Sequence, residues 1–174
     1  TFHTGIGYDA AVVRRVEQRA GHKRYAGNPL FIAAALRTWG LEYDKKRPHF
    51  ALDFGDGSTV DNGFFSIIMN TNPYTYLGNR PFDLVPSTSV STGFSVVTFT
   101  SLKTTQMLRT LASALQGGGV KNFPWLDIRT NVQHVVASDS RAFPYQLDGD
   151  YLGEIQKVEF EFVPNAVRLV RSHP

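Results

Sequence analysis

The chain has 174 residues, 42% hydrophobic and 19% charged, which suits one domain with a real core and excludes an intrinsically disordered chain. A net charge of +3, with an isoelectric point near 9.3, is too small for a dedicated nucleic-acid binder, which carries a concentrated Lys/Arg stripe. Without cysteine there is no disulfide, thiolate metal site or cysteine nucleophile.

The longest apolar run, Leu30 to Leu36, falls far short of the roughly 20 residues of a membrane span. The opening residues have none of the pattern of a signal peptide, so none is expected in this stretch. It starts Thr1-Phe2-His3, so the expectation is a piece of something longer.

In chain order, Phe2 to Gly7 reads as a short strand running into a glycine turn, and Tyr8 to Ala20 as a helix with an apolar stripe at Ala11, Val12 and Val16. Gly21 ends it. Asn28-Pro29 is a good start for a second helix, running to about Trp39 and stopped by Gly40. The period then changes to two. His49 to Phe54, a turn at Gly55-Asp56-Gly57-Ser58 and a return through Gly63 to Met69 predict a β-hairpin.

Further strands are predicted at Phe94–Phe99, Leu126–Val136, Tyr151–Phe162 and Ala166–Arg171. Between the first two lies a third helix. Ser101 can cap it, Met107, Leu108, Leu111 and Leu115 share a face, and Gly117-Gly118-Gly119 ends it. This pattern predicts a mainly β fold with α decoration: a two-layer antiparallel β-sandwich-like lobe with about three peripheral helices.

Basic residues cluster at Arg14, Arg15, Arg19, Lys23 and Arg24, at Lys45-Lys46-Arg47, and at Arg168 and Arg171. They read as a solvated face or as attraction to an anionic membrane surface.

Three segments could carry chemistry. Phe54-Gly55-Asp56-Gly57-Ser58-Thr59 has the look of a phosphate-cradling loop, but both flanks read as strands and no helix N-terminus follows. A hairpin turn explains it. Gly5-Ile6-Gly7-Tyr8-Asp9-Ala10 superficially matches a dinucleotide fingerprint, yet no βαβ unit follows, and an acid near a helix start is favourable by itself. Tyr145-Gln146-Leu147-Asp148-Gly149-Asp150 admits two readings. Two carboxylates around a glycine can share one volume and so act as acid and base, or Asp-Gly can be a plain hairpin turn. The five histidines show no ligand spacing, and no Gly-x-Ser-x-Gly elbow exists.

Taken in order, Gly5-Ile6-Gly7-Tyr8-Asp9-Ala10-Ala11-Val12-Val13, then Asn72-Pro73-Tyr74-Thr75-Tyr76-Leu77-Gly78 leading to Pro86, then Gln146-Leu147-Asp148-Gly149-Asp150 resemble the diacylglycerol kinase family of lipid kinases. That family includes bacterial lipid kinases, sphingosine kinases and ceramide kinases, and the detailed form looks like an actinobacterial diacylglycerol kinase. The resemblance implies a two-lobed enzyme, of which residues 1–174 are one domain, the β-rich C-terminal lobe, with the nucleotide-binding lobe absent from this chain. The fragment alone is then inactive.

The implied reaction is transfer of the γ-phosphate of ATP to a lipid hydroxyl, diacylglycerol becoming phosphatidic acid. Sphingoid bases or other lipid alcohols are alternative substrates, and a non-catalytic lipid-binding β-domain is the alternative class. The resemblance makes Asp148 the proton acceptor, and it places Asp150 and Gly149 near nucleotide and metal. Gly5, Gly7, Asp9, Asn72 and Gly78 are then structural motif positions.

ATP and magnesium would be bound mainly through the missing lobe, and no metal ligand is assigned here. Some bacterial members hold a structural magnesium after the Asn-rich loop. Here Ser89 to Phe94 occupies that place with Thr92 where the acid would be, so the ion is not expected. The implied partners are a diacylglycerol-like lipid and a membrane surface, with no nucleic acid and a homodimer left open. The implied location is cytoplasmic, peripheral at the inner membrane face.

Overall fold

The computed structural model describes residues 1–19, 35, 37, 38, 40, 43–77 and 79–166. In chain order these form β1 (His3–Gly7), α1 (Tyr8–Arg19), β2 (Phe50–Asp53), β3 (Thr59–Gly63), β4 (Phe65–Met69), β5 (Thr75–Leu77) and β6 (Arg80–Phe82). They continue with β7 (Phe94–Phe99), α2 (Thr104–Leu115), β8 (Leu126–Val132), β9 (His134–Leu147) and β10 (Asp150–Glu161). Eight of the strands make one antiparallel sheet in the order β3-β2-β9-β1-β4-β7-β8, with β10 on the other edge of β9, while β5 and β6 form a separate ribbon.

The long β9 determines the architecture. Val136, Ala137 and Ser138 in its first half pair with β2, whereas Tyr145, Gln146 and Leu147 at its far end pair with β1. Between these stretches the β9–β10 ladder is broken: Ser138 faces Lys157 and Phe143 faces Ile155, so Asp139 to Ala142 stand opposite Gln156 alone. Such a bulge bends the strand and strengthens its twist. The sheet therefore turns a corner there and closes on itself as two layers.

Ile6, Ile68 and Val96 from one layer meet Leu52, Val60 and Ala137 from the other, with Phe50 and Phe143 filling the centre. Burying each of these phenylalanines contributes about 1.5–3 kcal/mol. Every residue of β4 and β7 is buried, because a second cluster of Phe65, Ile67, Met69, Val97 and Phe99 covers their opposite face against Leu84, Leu102 and Ala114. Of the three hydroxyls this would strand, those of Ser66 and Thr98 bond each other at 3.0 Å, and that of Ser95 accepts from Thr88 at 2.7 Å. α1 lies on β9 and β10, buries Val12 and Val16, and accepts the Tyr151 N–H on Glu17 at 3.1 Å.

The fold is mainly antiparallel β with helices outside it, as the period-two pattern predicts. Several local expectations change. The return strand of the first hairpin is Thr59–Gly63, not Gly63–Met69; the chain changes partner at Phe64, and Phe65–Met69 pairs with β1 and β7. That stretch is apolar on consecutive residues because both its faces are covered. The expected strand Leu126–Val136 is two strands, interrupted at Gln133.

The cap of α2 is Lys103 rather than Ser101, its N–H reaching the Gln106 side chain at 3.4 Å. The buried face of that helix centres on Thr110, Ser113 and Ala114, which turns Leu108 to solvent at 59% exposure. α1 and α2 are the two helices described from end to end. Of the helix expected from Pro29 to Trp39 only residues 35, 37 and 38 are described, and they are helical; its remainder, the basic residues Lys23, Arg24, Arg168 and Arg171, and the strand expected over Ala166–Arg171 beyond Ala166 lie outside the described residues.

Candidate functional site

Three distant segments meet in one cleft of about 430 Å³ at the end of the sheet where β1 borders β9. β1 runs straight into α1, which sets Asp9 in the helix's first turn. The segment after β4 brings Thr71 and Tyr74, and the end of β9 brings Gln146, Asp148 and Gly149. Phe2, Val12 and Val13 line the cleft together with these polar groups, so its wall combines apolar and hydrogen-bonding residues.

Asp9 does not act as a solvent-facing helix cap. Its carboxylate is enclosed, with Oδ1 accepting the Tyr74 hydroxyl at 2.6 Å and Oδ2 accepting the Gln146 amide at 2.8 Å. Burial raises its pKa above the ordinary carboxylate value, against the opposing pull of these two hydrogen bonds and of His3. Burial, and then the charge of Asp9, push the Tyr74 hydroxyl well above its ordinary value. His3 packs edge-on against Tyr74 at 5.3 Å, and its Nε2 lies 3.1 Å from both the carbonyl and the hydroxyl of Thr71.

Asp148 and Gly149 form the two-residue turn between β9 and β10, flanked by the Leu147–Asp150 pair. Their φ angles of +50° and +89° are the left-handed pattern of a type I′ hairpin, for which Asp-Gly is a favoured sequence. The hexapeptide thus carries an Asp-Gly hairpin turn, which places the Asp148 side chain at the cleft. Asp148 Oδ1 accepts the N–H of Phe2 at 2.7 Å, that of His3 at 2.8 Å and the Thr1 hydroxyl at 3.1 Å. Partial burial raises the Asp148 pKa, but these bonds, together with the positive charge of the amine at Thr1, hold the group below its ordinary value. Oδ2 carries none of the three.

The other expected positions divide. Gly5 abuts the site, since a Cβ there would lie 1.8 Å from Asp9 Oδ2. Gly7, with φ of +82°, belongs to a neighbouring contact: a Cβ would strike the Tyr43 hydroxyl, which donates to the Phe64 carbonyl. Asn72, joined to Pro73 by a cis peptide bond, donates to Asp83 at 3.0 Å. Asp150 is exposed at the first residue of β10, and Gly78 lies outside the described residues. Sequence reasoning assigned no role to Tyr74, Gln146, His3 or Thr71. Tyr74 and Gln146 do sit inside the two motifs that carry the resemblance.

A second cleft, about 640 Å³, lies at the Phe54–Thr59 turn. There Asp53 accepts the Gly55 N–H and Asp56 accepts the Ser58 N–H, each an ordinary side-chain brace of a tight turn. Arg129 stacks on the Phe54 ring at 3.9 Å, bonds the Ser58 hydroxyl and pairs with Asp127 at 2.8 Å. The segment is a braced hairpin turn.

Among the described residues no group of three or more His, Asp or Glu could hold a metal ion. The loop from Pro86 to Gly93 offers hydroxyls that bond within the loop, Ser89 to Ser91 at 2.8 Å and Thr92 to the Ser89 carbonyl at 3.2 Å. Magnesium takes carboxylate oxygens, so this loop does not fit that ion.

No family model and no curated protein matches the chain. Among solved structures, it is similar to two proteins each named as a candidate diacylglycerol kinase of Bacillus anthracis str. Sterne. One has a TM-score of 0.54 at 14% identity over 95% of this chain and 53% of its own. The other has a TM-score of 0.50 at 13% identity over 95% of this chain and 54% of its own. The chain thus spans about half the length of these structures. At such identities the likeness is one of fold: this chain folds as about half of each of those proteins does.

Proposed function

We propose that the chain is the β-rich lobe of an ATP-dependent lipid kinase, which transfers the γ-phosphate of ATP to the hydroxyl of diacylglycerol. The observation that carries this reading is the convergence of all three motif segments on one half-apolar cleft, in a fold similar to those two Bacillus proteins. The actinobacterial form of the family is supported by the motifs alone.

The chemistry asks for a group that takes the hydroxyl proton as oxygen attacks phosphorus, because a lipid alcohol is a poor nucleophile. Asp148 suits this role. Its Oδ1 is anchored by two backbone N–H groups, leaving Oδ2 to face the alcohol, and its low pKa keeps it ionised at neutral pH. A weak base of this kind accepts the proton late, once the forming P–O bond has made the hydroxyl acidic. On this reading Phe2, Val12 and Val13 of the cleft wall take the start of the acyl region, and Gly149 with the neighbouring Asp150 is assigned to the nucleotide side. Magnesium would neutralise the phosphate charge when ATP is bound, and we assign ATP and the ion mainly to the remainder of the enzyme.

We place the enzyme at the cytoplasmic face of the membrane as a peripheral protein. No helix among the described residues is long and apolar enough to cross a membrane.

The test is transfer of labelled γ-phosphate by the full-length protein, with magnesium, to a panel of diacylglycerol, a sphingoid base and a ceramide. Labelled phosphatidic acid is the expected product. Transfer only to the other alcohols would change the substrate, and saturable lipid binding without transfer would make this a non-catalytic lipid-binding domain.

A further inference from the structure

One hydrogen-bond chain runs from the buried carboxylate to the turn that carries Asp148. Tyr74 donates to Asp9 Oδ1, Gln146 Nε2 donates to Asp9 Oδ2, and Gln146 Oε1 accepts the Gly149 N–H at 2.8 Å. Gln146 is 2% exposed, so neither end of its amide has water as a substitute partner. The polarity is fixed between Asp9 and Gly149. A carboxylate can only accept and the Gly149 N–H can only donate, so the Gln146 amide has one orientation that satisfies both.

From the other side the same turn is tied to β1. Asp148 N–H donates to the His3 carbonyl at 2.9 Å, and Asp148 Oδ1 takes the N–H groups of Phe2 and His3. Two residues in left-handed conformation are thereby held by β1 on one side and by Asp9, through Gln146, on the other.

We infer that Asp9 and Gln146 are positioning residues, which hold the Asp148–Gly149 turn so that the Asp148 carboxylate meets the substrate hydroxyl in one geometry. The inference rests on the kinase reading for its effect on turnover, but not for the hydrogen-bond chain itself. Neither residue needs to touch substrate: both carboxylate oxygens of Asp9 and both ends of the Gln146 amide are already engaged. A displacement of the general base by about 1 Å is enough to lower turnover by about 10²-fold, while the contacts that bind lipid and nucleotide stay in place.

The experiment exploits the fixed polarity. In the full-length protein, Gln146→Glu sets carboxylate against carboxylate, and Asp9→Leu removes the acceptor that the Gln146 amide needs. The double variant Asp9→Asn/Gln146→Glu restores every bond: the amide at 9 donates to the carboxylate at 146 and accepts from Tyr74, and the carboxylate still accepts from Gly149.

Two quantities are read, amide hydrogen exchange at Gly149 and steady-state kinetics, with a melting curve for each variant. Both single variants are expected to speed Gly149 exchange by about tenfold or more and to lower kcat by about 10²-fold with little change in KM. The double variant is expected to recover both quantities. A Gly149 amide that ignores the single variants would overturn the inference. So would a double variant that recovers Gly149 protection but not kcat, because Asp9 would then act on the substrate itself. If the single variants fail to fold, a folded double variant with wild-type exchange and turnover supports the inference, and one with lost turnover overturns it. An unmodified protein that transfers no phosphate removes the kinase reading, and Gly149 exchange still decides the hydrogen-bond chain.

Discussion

The Asp9 carboxylate occupies the space that any side chain at Gly5 would need. A Cβ at residue 5 would lie 1.8 Å from Asp9 Oδ2 and 2.8 Å from Gln146 Nε2. The glycine is therefore set by a residue four positions later in the chain and another in β9, and not by its own φ, which is ordinary for a strand.

Gly5→Ala should consequently drive Asp9 from its bonds with Tyr74 and Gln146. The expected loss is about 1–3 kcal/mol, the usual range for overpacking. Urea unfolding of Gly5→Ala, Asp9→Ala and the double variant checks the cause. Truncating Asp9 removes most of the clash, so the double variant should lose clearly less than the sum of the single variants.

Asp148→Asn should keep the fold, because Asn tolerates a left-handed turn and its oxygen can still accept from Phe2 and His3. It cannot take up the lipid proton, so turnover in the full-length enzyme should fall by about 10²–10⁴-fold. Asp150→Asn should raise the KM for ATP more than it lowers kcat. Kinetics of both variants with a melting curve decide; near-wild-type turnover in folded Asp148→Asn removes the proton-acceptor role.

The two cleft carboxylates should respond to pH in opposite directions. Burial raises the Asp9 pKa above 3.8, so the stability linked to this group is present below the unfolded value and is lost as pH rises through the folded one. The pKa of Asp148 is lowered, so its contribution is present above 3.8 and is lost as pH falls through the folded value. Relative to wild type, Asp9→Asn should therefore gain stability as pH rises from about 4 to about 7. Unfolding free energies across that range test the sign, and a constant difference would contradict the burial of an ionisable Asp9.

At the other cleft, Arg129→Ala removes the stack on Phe54 and the pair with Asp127. A stack of this kind contributes about 0.5–2 kcal/mol. The variant should melt earlier yet leave the KM for ATP unchanged, since this turn is structural. A raised nucleotide KM in a folded variant would make the turn a phosphate site after all.

Membrane association should be salt-sensitive, through the basic residues of α1 and of Lys45-Lys46-Arg47. Arg14 pairs with Glu154 at 3.3 Å and Arg47 with Asp44 at 2.9 Å, so the free charge in each cluster is smaller than the sequence suggests. Sedimentation with anionic and neutral vesicles at low and high salt measures the effect. Binding indifferent to both variables would exclude this route.

By itself the sequence determined the elements whose pattern is local. The strand into α1 follows from Gly5 to Arg19, the Asp56 and Asp148 turns from their Asp-Gly pairs, and the end of α2 from three successive glycines. It also carried the three motif segments, because each is contiguous. Only the tertiary structure decided which strands are neighbours and what the motifs do to one another. Phe65–Met69 reads as the return arm of a hairpin until its second covered face is seen, and β9 is legible only in part because its outer residues alternate around a bulge. Above all, Asp9 reads alone as a helix-start acid. Enclosing it between Tyr74 and Gln146 takes contacts across 65 and 137 residues of sequence, and no local period or spacing records separations of that length.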